Sequence, residues 1–292
     1  MPDRRQFLGS LVATPLLATQ LAFPALAEST ESELAVMTYN LRFASEKPPN
    51  AWPTRRPLVK ALLTQYAPDV FGTQEGVFSQ LKDISADLPG YASIGIGRDG
   101  GSRGEFMMVY YRPERLEPLE FDHFWLSDTP EVMGSSTWGN TNRRMVTWVR
   151  FLDRRTQRQF YFWNTHLDHA LQPAREKATT LILERIARQT DPKLPLLLVG
   201  DFNAVAKANP IYDQFLAGGL QDTWFLAQTR RNEQANSFNG FQAKREQGER
   251  IDWILARGGL KVRATEIITF EKDGQWPSDH FPIMAWLTWD PA

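Results

Sequence analysis

The sequence contains no cysteine, and its formal net charge at pH 7 is only −1. Without cysteine there can be no disulfide and no thiolate metal site, so stability must come from an apolar core, which 292 residues suffice to form. The small charge excludes the strong basic excess typical of proteins that live on nucleic acid. A local basic groove stays open, so nucleic acid is an unfavoured partner and not an excluded one.

The N-terminal residues have the features of an export signal. Arg4 and Arg5 begin the pattern RRxFL of a twin-arginine signal. A moderately apolar run follows, and it ends in the tripeptide Ala-Leu-Ala at 25–27, the small-residue form that signal peptidase accepts. These features predict a periplasmic or secreted protein that is exported by the twin-arginine route.

The same apolar run is a poor membrane span. Pro15 and Pro24 interrupt it, so we expect no stable span in the mature form, although an uncleaved anchor is the alternative interpretation. We therefore predict a signal peptide over residues 1–27 and a catalytic domain over residues 28–292. We expect the mature protein to be a monomer.

Short apolar strands alternate with helical stretches along the rest of the chain, without a linker or an internal repeat. This alternation is typical of a single α/β domain. A helix is predicted over Arg55–Tyr66, and Pro173 is expected to open another. The predicted strands are Leu34–Leu41, Asp69–Thr73, Phe106–Tyr111, Met145–Phe151, Phe160–His166, Leu194–Val199, Ile251–Ala256 and Phe281–Leu287.

Polar side chains cluster where these strands end. Each alone is explained as a turn or capping residue, but a recurrent set of carboxylate and amide oxygens suits a hard cation. The sequence has no cysteine and no H-E-x-x-H motif, so it lacks these two signs of a zinc site. The set comprises Asn40 in TYNLRF, Glu75 in GTQEG, His166 and Asp168 in NTHLDHA, Asp201 and Asn203 in GDFN, Asp252 in ERIDWIL, and Asp279 and His280 in SDHFP.

The order N, QE, TH, GDFN, RID and SDH resembles the endonuclease/exonuclease/phosphatase superfamily, from about Leu34 to Leu287. The superfamily includes pancreatic-type DNases, abasic-site endonucleases, bacterial sphingomyelinases and inositol-polyphosphate 5-phosphatases. The resemblance implies a DNase I-like fold, a four-layer α/β/β/α sandwich with two mixed β-sheets. It also implies a hydrolase that cleaves a phosphate ester with Mg²⁺ or Mn²⁺ as its cofactor.

The resemblance implies a role for each matched residue. Glu75 would be the principal metal ligand, helped by Asn40 and Asp279. Asp201 would orient or deprotonate the attacking water, and Asn203 would hold the water and the phosphate.

Two histidines and their neighbours complete the implied site. His280 would contact phosphoryl oxygens or transfer a proton, and Asp252 would fix its tautomer. His166 would donate to oxygens that gain charge in the transition state. Arg144, in NRRMVTW, matches a family arginine near the phosphate, and Glu105, in RGEF, matches a carboxylate on the histidine side.

One position departs from the pattern. Arg42 stands where abasic-site endonucleases carry an Asp, which weakens the expectation of a second metal at that point. The leading hypothesis is a phosphodiesterase or phosphomonoesterase, with the choice between the two left open. An inactive, metal-free binding module is the alternative from outside the enzymes.

Two other enzyme hypotheses rest on particular side chains. An exported DNase would use a basic patch, for which Arg143, Arg144 and the pair Arg154 and Arg155 are candidates. A sphingomyelinase-like lipid phosphodiesterase would need an exposed apolar element. Its candidates are the predicted loop tryptophans Trp52, Trp125, Trp138 and Trp276.

Overall fold

The computed structural model describes residues 32–242 and 247–290. The predicted signal peptide, residues 1–27, lies outside these ranges. Thirteen strands and five helices occur in the described ranges. They are β1 (Leu34–Asn40), α1 (Trp52–Tyr66), β2 (Val70–Val77), α2 (Phe78–Asp87), β3 (Ala92–Ile94), β4 (Glu105–Tyr111), β5 (Leu116–Trp125), β6 (Met145–Asp153), β7 (Arg158–His166), α3 (Gln172–Gln189), β8 (Leu196–Asp201), α4 (Pro210–Ala217), β9 (Gln221–Asp222), α5 (Thr223–Leu226), β10 (Thr229–Arg231), β11 (Asp252–Arg257), β12 (Leu260–Ile267) and β13 (Ile283–Trp289).

Within the described residues the strands form two sheets. The first has seven strands in the order β10-β12-β13-β1-β2-β4-β3, and the second has six in the order β5-β6-β7-β8-β11-β9. Both sheets are mixed, since β1 is parallel to β2 but antiparallel to β13. Likewise, β8 is parallel to β7 but antiparallel to β11. The predicted pair of mixed sheets is confirmed.

The central strands of the second sheet, such as β7 and β8, are apolar on both faces because each face covers a different core. Phe162 and Val199 pack against Val36 of the first sheet. Their sequence neighbours on the other face, such as Trp163, pack against Ile182 of α3. Side chains alternate between the two faces of a strand, so a run of consecutive buried residues is required here.

The outer face of the first sheet is covered by α1 and α2. Helix α1 buries Leu58 and Leu62, and α2 buries Leu81 and Ile84. The buried hydroxyl of Tyr110 in β4 donates to the Leu81 carbonyl at 3.3 Å, which joins α2 to the sheet. Helices therefore lie outside both sheets, and the predicted four-layer α/β/β/α sandwich is confirmed.

One edge of the sandwich gathers the polar strand ends. His166 lies beside Asp201 in the β7–β8 pairing, and Asp252 lies beside Asp201 in the β8–β11 pairing. In the facing sheet, Asn40 pairs in register with Gln74. Strand pairing thus sets these side chains next to one another before any loop contributes.

A buried amide joins the two sheets beneath this edge. Asn164 of β7 donates to the carbonyls of Thr73 (2.9 Å) and Met108 (3.0 Å) and accepts from Gln74 Nε2 (2.7 Å). A Cβ at Gly72 would lie 2.6 Å from Asn164, so glycine permits this close approach. The contact fixes the distance between the strands that carry the polar side chains.

Among residues 32–242 and 247–290, no helix combines the length and apolar character needed to cross a bilayer.

Candidate active site

A cleft of about 460 Å³ opens at the edge where the polar strand ends meet. Eight of the ten residues to which the resemblance assigns a role line it. The other two, Asn40 and Asp252, contact lining residues from behind. The sequence-based site is therefore one continuous surface, built from strand ends of both sheets.

Asp201 is the centre of the hydrogen-bond network. Its Oδ2 accepts from Asn40 Nδ2 at 2.9 Å, and its Oδ1 accepts from the Asn203 backbone N–H at 2.9 Å. The side chain is buried, and this burial, together with the neighbouring Asp252, raises the pKa of Asp201 to about 7. A carboxylate with a pKa near neutrality is suited to accept a proton from water.

His280 and Asp252 form a buried pair. His280 Nδ1 and Asp252 Oδ2 are 3.0 Å apart. Burial alone would lower the pKa of His280, but the carboxylates of Asp252 and Asp201 outweigh it and raise the pKa to about 10. The other ring nitrogen, Nε2, lies 3.8 Å from Asp201 Oδ2. Asp252 therefore holds a protonated imidazole with one nitrogen directed towards the centre of the site.

His166 has the opposite electrostatic character. Burial and the nearby Arg144 guanidinium hold the pKa of His166 well below its ordinary value, so its ring is neutral. Asn203 Nδ2 donates to the Leu167 carbonyl at 3.1 Å and lies 3.0 Å from His166 Nε2. The Leu167 contact orients the amide nitrogen towards the ring, so His166 Nε2 accepts a hydrogen bond from Asn203. The two site histidines thus differ in charge.

Glu75 and Asp279 lie close together on the facing side of the cleft. Glu75 has a φ of +61°, in the left-handed region, where β2 and β4 shift register. Asn40 Nδ2 donates to Glu75 Oε1 at 3.1 Å, while Asn40 Oδ1 accepts from the Arg42 N–H at 2.9 Å. The amide NH₂ of Asn40 therefore faces the carboxylates, and ligation of a metal by its oxygen stays a prediction.

The donor set fits a hard divalent cation. Burial and the negative charge of Glu75 raise the pKa of Asp279 against the opposing effects of His280, Arg42 and other cations. A divalent cation would favour the charged form of both carboxylates. In addition, potential ligand atoms of Glu75, His166 and Asp201 lie within 4.8 Å of one another. Oxygen-rich donors of this kind suit Mg²⁺ or Mn²⁺.

Arginines form the remaining wall. Arg144 is 4% exposed, and its Nη2 lies 3.2 Å from His169 Nδ1. Within the described residues, its Nε and Nη1 have no hydrogen-bond partner. The nearest carboxylate contact is 3.7 Å, from Nε to Asp168 Oδ2, which is too long for a hydrogen bond. A buried guanidinium with unused donors is ready to bind an anion.

Glu105 pairs with an arginine and not with a histidine. Its Oε2 accepts from Arg98 Nη1 at 2.6 Å, and Arg98 Nη2 donates to Asn142 Oδ1 at 3.3 Å. Burial raises the pKa of Glu105 despite this pair. The implied support of the histidine side by Glu105 therefore stays a prediction, because its hydrogen bond in the described residues connects it to the arginine wall.

Several lining residues were not singled out from the sequence. They share positions in loops, where a single sequence carries no periodic signal. His169 stands inside the motif NTHLDHA and could have been found there. The residues missed are Phe43, Arg98, Asn142, His169, Phe238 and Ile251.

Comparison with known proteins agrees with this geometry. The profile of the endonuclease/exonuclease/phosphatase family matches residues 37–280. The chain belongs to this family. A solved family protein from Bacteroides thetaiotaomicron is 33% identical, with a TM-score of 0.83 over 90% of this chain and 97% of that one. Membership makes a phosphoesterase activity the general expectation.

Two further relatives match this chain over different lengths. A mannosyl-6-phosphatase from Bacteroides thetaiotaomicron is 33% identical, with a TM-score of 0.81 over 88% of this chain and 100% of that structure. A protein of Acanthamoeba polyphaga mimivirus is 30% identical over 160 residues. That match spans 52% of this chain and 59% of the viral protein.

Proposed function

We propose that this family member is a divalent-metal-dependent phosphoesterase in which Asp201 activates the attacking water, and that its substrates are small phosphomonoesters such as sugar phosphates. The observation that carries the proposal is the position of Asp201. Its carboxylate lies between the His280–Asp252 pair and Asn203, at the edge of an open cleft, with a pKa of about 7. The similarity to a mannosyl-6-phosphatase supports the monoester class.

The charges around the cleft suit hydrolysis of a phosphate ester. Asp201 would accept a proton from water as the water oxygen bonds to phosphorus. Protonated His280 would contact a phosphoryl oxygen or give its proton to the leaving alkoxide as the ester P–O bond breaks. Arg144 would direct its unused N–H groups to the non-bridging oxygens.

A bound cation completes this arrangement. Glu75 and Asp279 would hold it, and it would neutralise phosphate charge and lower the pKa of bound water. The prediction of Mg²⁺ or Mn²⁺ thus remains part of the proposal, supported by two adjacent carboxylates on the same wall as Asn40.

The other hypotheses find less support. Of the arginines that a DNase would use, Arg143 pairs with Asp99 (3.1 Å) and Arg154 pairs with Glu117 (3.2 Å). Their charge is therefore partly neutralised within the chain. A binding module without activity would not require the perturbed pKa values that this cleft combines.

The tryptophans that a lipid-directed enzyme would insert into a membrane are packed. Trp52 and Trp125 are 7% and 3% exposed. Trp138 and Trp276 are half-buried.

The proposal is tested with the wild type and Asp201→Asn on a substrate panel of mannose 6-phosphate, other sugar phosphates, bis-p-nitrophenyl phosphate, sphingomyelin and plasmid DNA. We expect turnover of monoesters with Mg²⁺ or Mn²⁺ and none with EDTA. Asp201→Asn should lower kcat by about 100-fold or more, since it removes the proton acceptor. Full activity after removal of metal, or in Asp201→Asn, would reject this mechanism.

We also propose export by the twin-arginine route, for which the pattern RRxFL at Arg4 and Arg5 is the support. Changing both arginines to lysine should leave precursor in the cytoplasm, as measured by fractionation and immunoblotting. Export of this variant at the wild-type level would reject the route.

A further inference from the structure

Arg42 lies among the carboxylates that the proposed function assigns to the metal. Its Nη1 is 3.8 Å from Glu75 Oε2, and its Nε is 3.6 Å from Asp279 Oδ2. One guanidinium therefore lies within ion-pair distance of both carboxylates.

The backbone of Arg42 is held in an uncommon conformation. Its φ is +52°, in the left-handed region that arginine seldom adopts. The N–H donates to Asn40 Oδ1 at 2.9 Å. The carbonyl accepts from Arg55 Nη2 and from Gln80 Nε2, both at 3.0 Å. Both polar backbone groups are fixed, so the position of this side chain is part of the built site.

The side chain lines the cleft, and among residues 32–242 and 247–290 no acceptor lies within hydrogen-bond distance of its guanidinium. Its guanidinium packs over the ring of Phe43, 4.3 Å from the ring centre, and the side chain is 38% exposed. The two ion pairs, at 3.6 and 3.8 Å, are too long to be hydrogen bonds. Because Arg42 lines the cleft, these N–H groups are accessible to an anion that binds there.

We propose that Arg42 is a permanent cation of the active site that binds a phosphoryl oxygen of the substrate and competes with the metal ion for the carboxylates of Glu75 and Asp279. This inference rests on the proposed function.

The proposal has two consequences of opposite sign. The guanidinium competes with a divalent cation for the same two carboxylates, so its removal should strengthen metal binding. The guanidinium also attracts the phosphate, so its removal should weaken phosphate binding. A residue with a purely structural role would weaken both when it is removed.

The main variant is Arg42→Gly, because glycine suits the left-handed backbone and the fold should be retained. Arg42→Lys keeps the charge but loses the planar group. Arg154→Ala is the matched control, since it removes one positive charge from the turn that follows β6, at the opposite end of that strand from Arg144. Circular dichroism checks that each variant is folded.

Mn²⁺ binding is measured by isothermal titration calorimetry on chelator-treated protein. Wild type should bind one Mn²⁺ per chain. Arg42→Gly should also bind one, with a Kd about threefold to tenfold lower. The Kd of inorganic phosphate at saturating Mn²⁺ should rise about tenfold in Arg42→Gly. Arg42→Lys should keep the wild-type Mn²⁺ affinity, and Arg154→Ala should match wild type in both titrations.

Two results would overturn the inference: unchanged or weaker Mn²⁺ binding in folded Arg42→Gly, or unchanged phosphate binding in the same variant. If the wild type hydrolyses its substrate with one metal while Arg42→Gly behaves like the wild type, only the role of Arg42 is rejected. If the wild type neither binds Mn²⁺ nor hydrolyses phosphate esters, the proposed function itself is rejected.

Discussion

Arg55 and Arg144 are both buried arginines near the cleft, and they use their guanidinium groups in opposite ways. Arg55 is 0% exposed and donates five hydrogen bonds of 2.7–3.0 Å, all to backbone carbonyls. Arg144 is 4% exposed, yet in the described residues its Nε and Nη1 have no partner. The carbonyls that Arg55 binds belong to Leu41, Arg42, Phe43, Asn50 and Pro277.

This difference in the use of the N–H groups indicates a structural role for Arg55 and a ligand-binding role for Arg144. Arg55 joins the segment after β1, which follows Asn40, to the segment that leads to Asp279. It thereby fixes the segments next to two predicted metal ligands, Asn40 and Asp279. All five N–H groups of Arg55 are used in this way, so none is left to bind a ligand. Arg144 is desolvated, and within the described residues its Nε and Nη1 have no hydrogen-bond partner. Such a cost is expected where a ligand supplies the missing partner.

The largest expected effect comes from Arg144→Met. It should lower kcat/KM by about 10²–10³-fold, the loss expected for one donor to a charged transition state. The free energy of unfolding should be unchanged or higher, because a buried charge with unused donors is removed. Kinetics and urea unfolding measure the two quantities.

Arg143→Met is the matched control for that experiment. Arg143 is the preceding residue, is exposed and pairs with Asp99. It should change kcat/KM less than about threefold, as expected for a surface ion pair. A large loss of stability in Arg144→Met, with activity lost only in proportion to the unfolded fraction, would place Arg144 in the same structural class as Arg55.

The second effect concerns stability. Arg55→Met should lower the free energy of unfolding by about 3 kcal/mol or more, because several buried carbonyls lose their partner. Arg56→Met is the matched control, since Arg56 is partly exposed and pairs with Asp83 and Asp87. It should cost less than about 1 kcal/mol in urea unfolding. Equal losses in the two variants would show that the Arg55 contacts are not a special support.

The contrast between these arginines also explains what could be predicted from the sequence. Glu75, Asp201 and His280 were predicted because each sits in a short motif next to an apolar strand, and strand pairing then brings the motifs together. Arg55 was predicted only as the start of a helix. Its burial depends on the carbonyls of two separate loops, and no local pattern encodes that contact.

The fold shows the same limit. Strands such as β7 and β8 were predicted, because a strand that is buried on both faces appears in the sequence as a run of consecutive apolar residues. The strands β5 and β12 were not predicted. Most central residues of β5, from Leu119 to Asp122, are exposed, and polar residues such as Lys261 and Arg263 interrupt the pattern of β12. Their strand structure comes from pairing with a neighbour, which is a property of the whole sheet.

The smallest expected effect is the decrease in kcat on substitution of Asp252. Like Arg55, Asp252 would act by holding another group in position, in this case the ring of His280. Asp252→Asn should lower kcat about tenfold to a hundredfold, because the amide no longer stabilises the charged ring of His280 or fixes its tautomer. His280→Ala should lower kcat by about 100-fold or more. If the two residues act as a unit, the double variant should be little worse than His280→Ala alone.

Each variant should keep the wild-type circular dichroism spectrum, since none opens a large core cavity. The kcat values of the two single variants and the double variant form a double-mutant cycle. Losses that multiply would show that Asp252 acts independently of His280, and that the 3.0 Å contact between them is not the route of its effect. If the kcat of the double variant instead equals that of His280→Ala, Asp252 acts through His280. Like Arg55, it would then contribute by holding another part of the site in position.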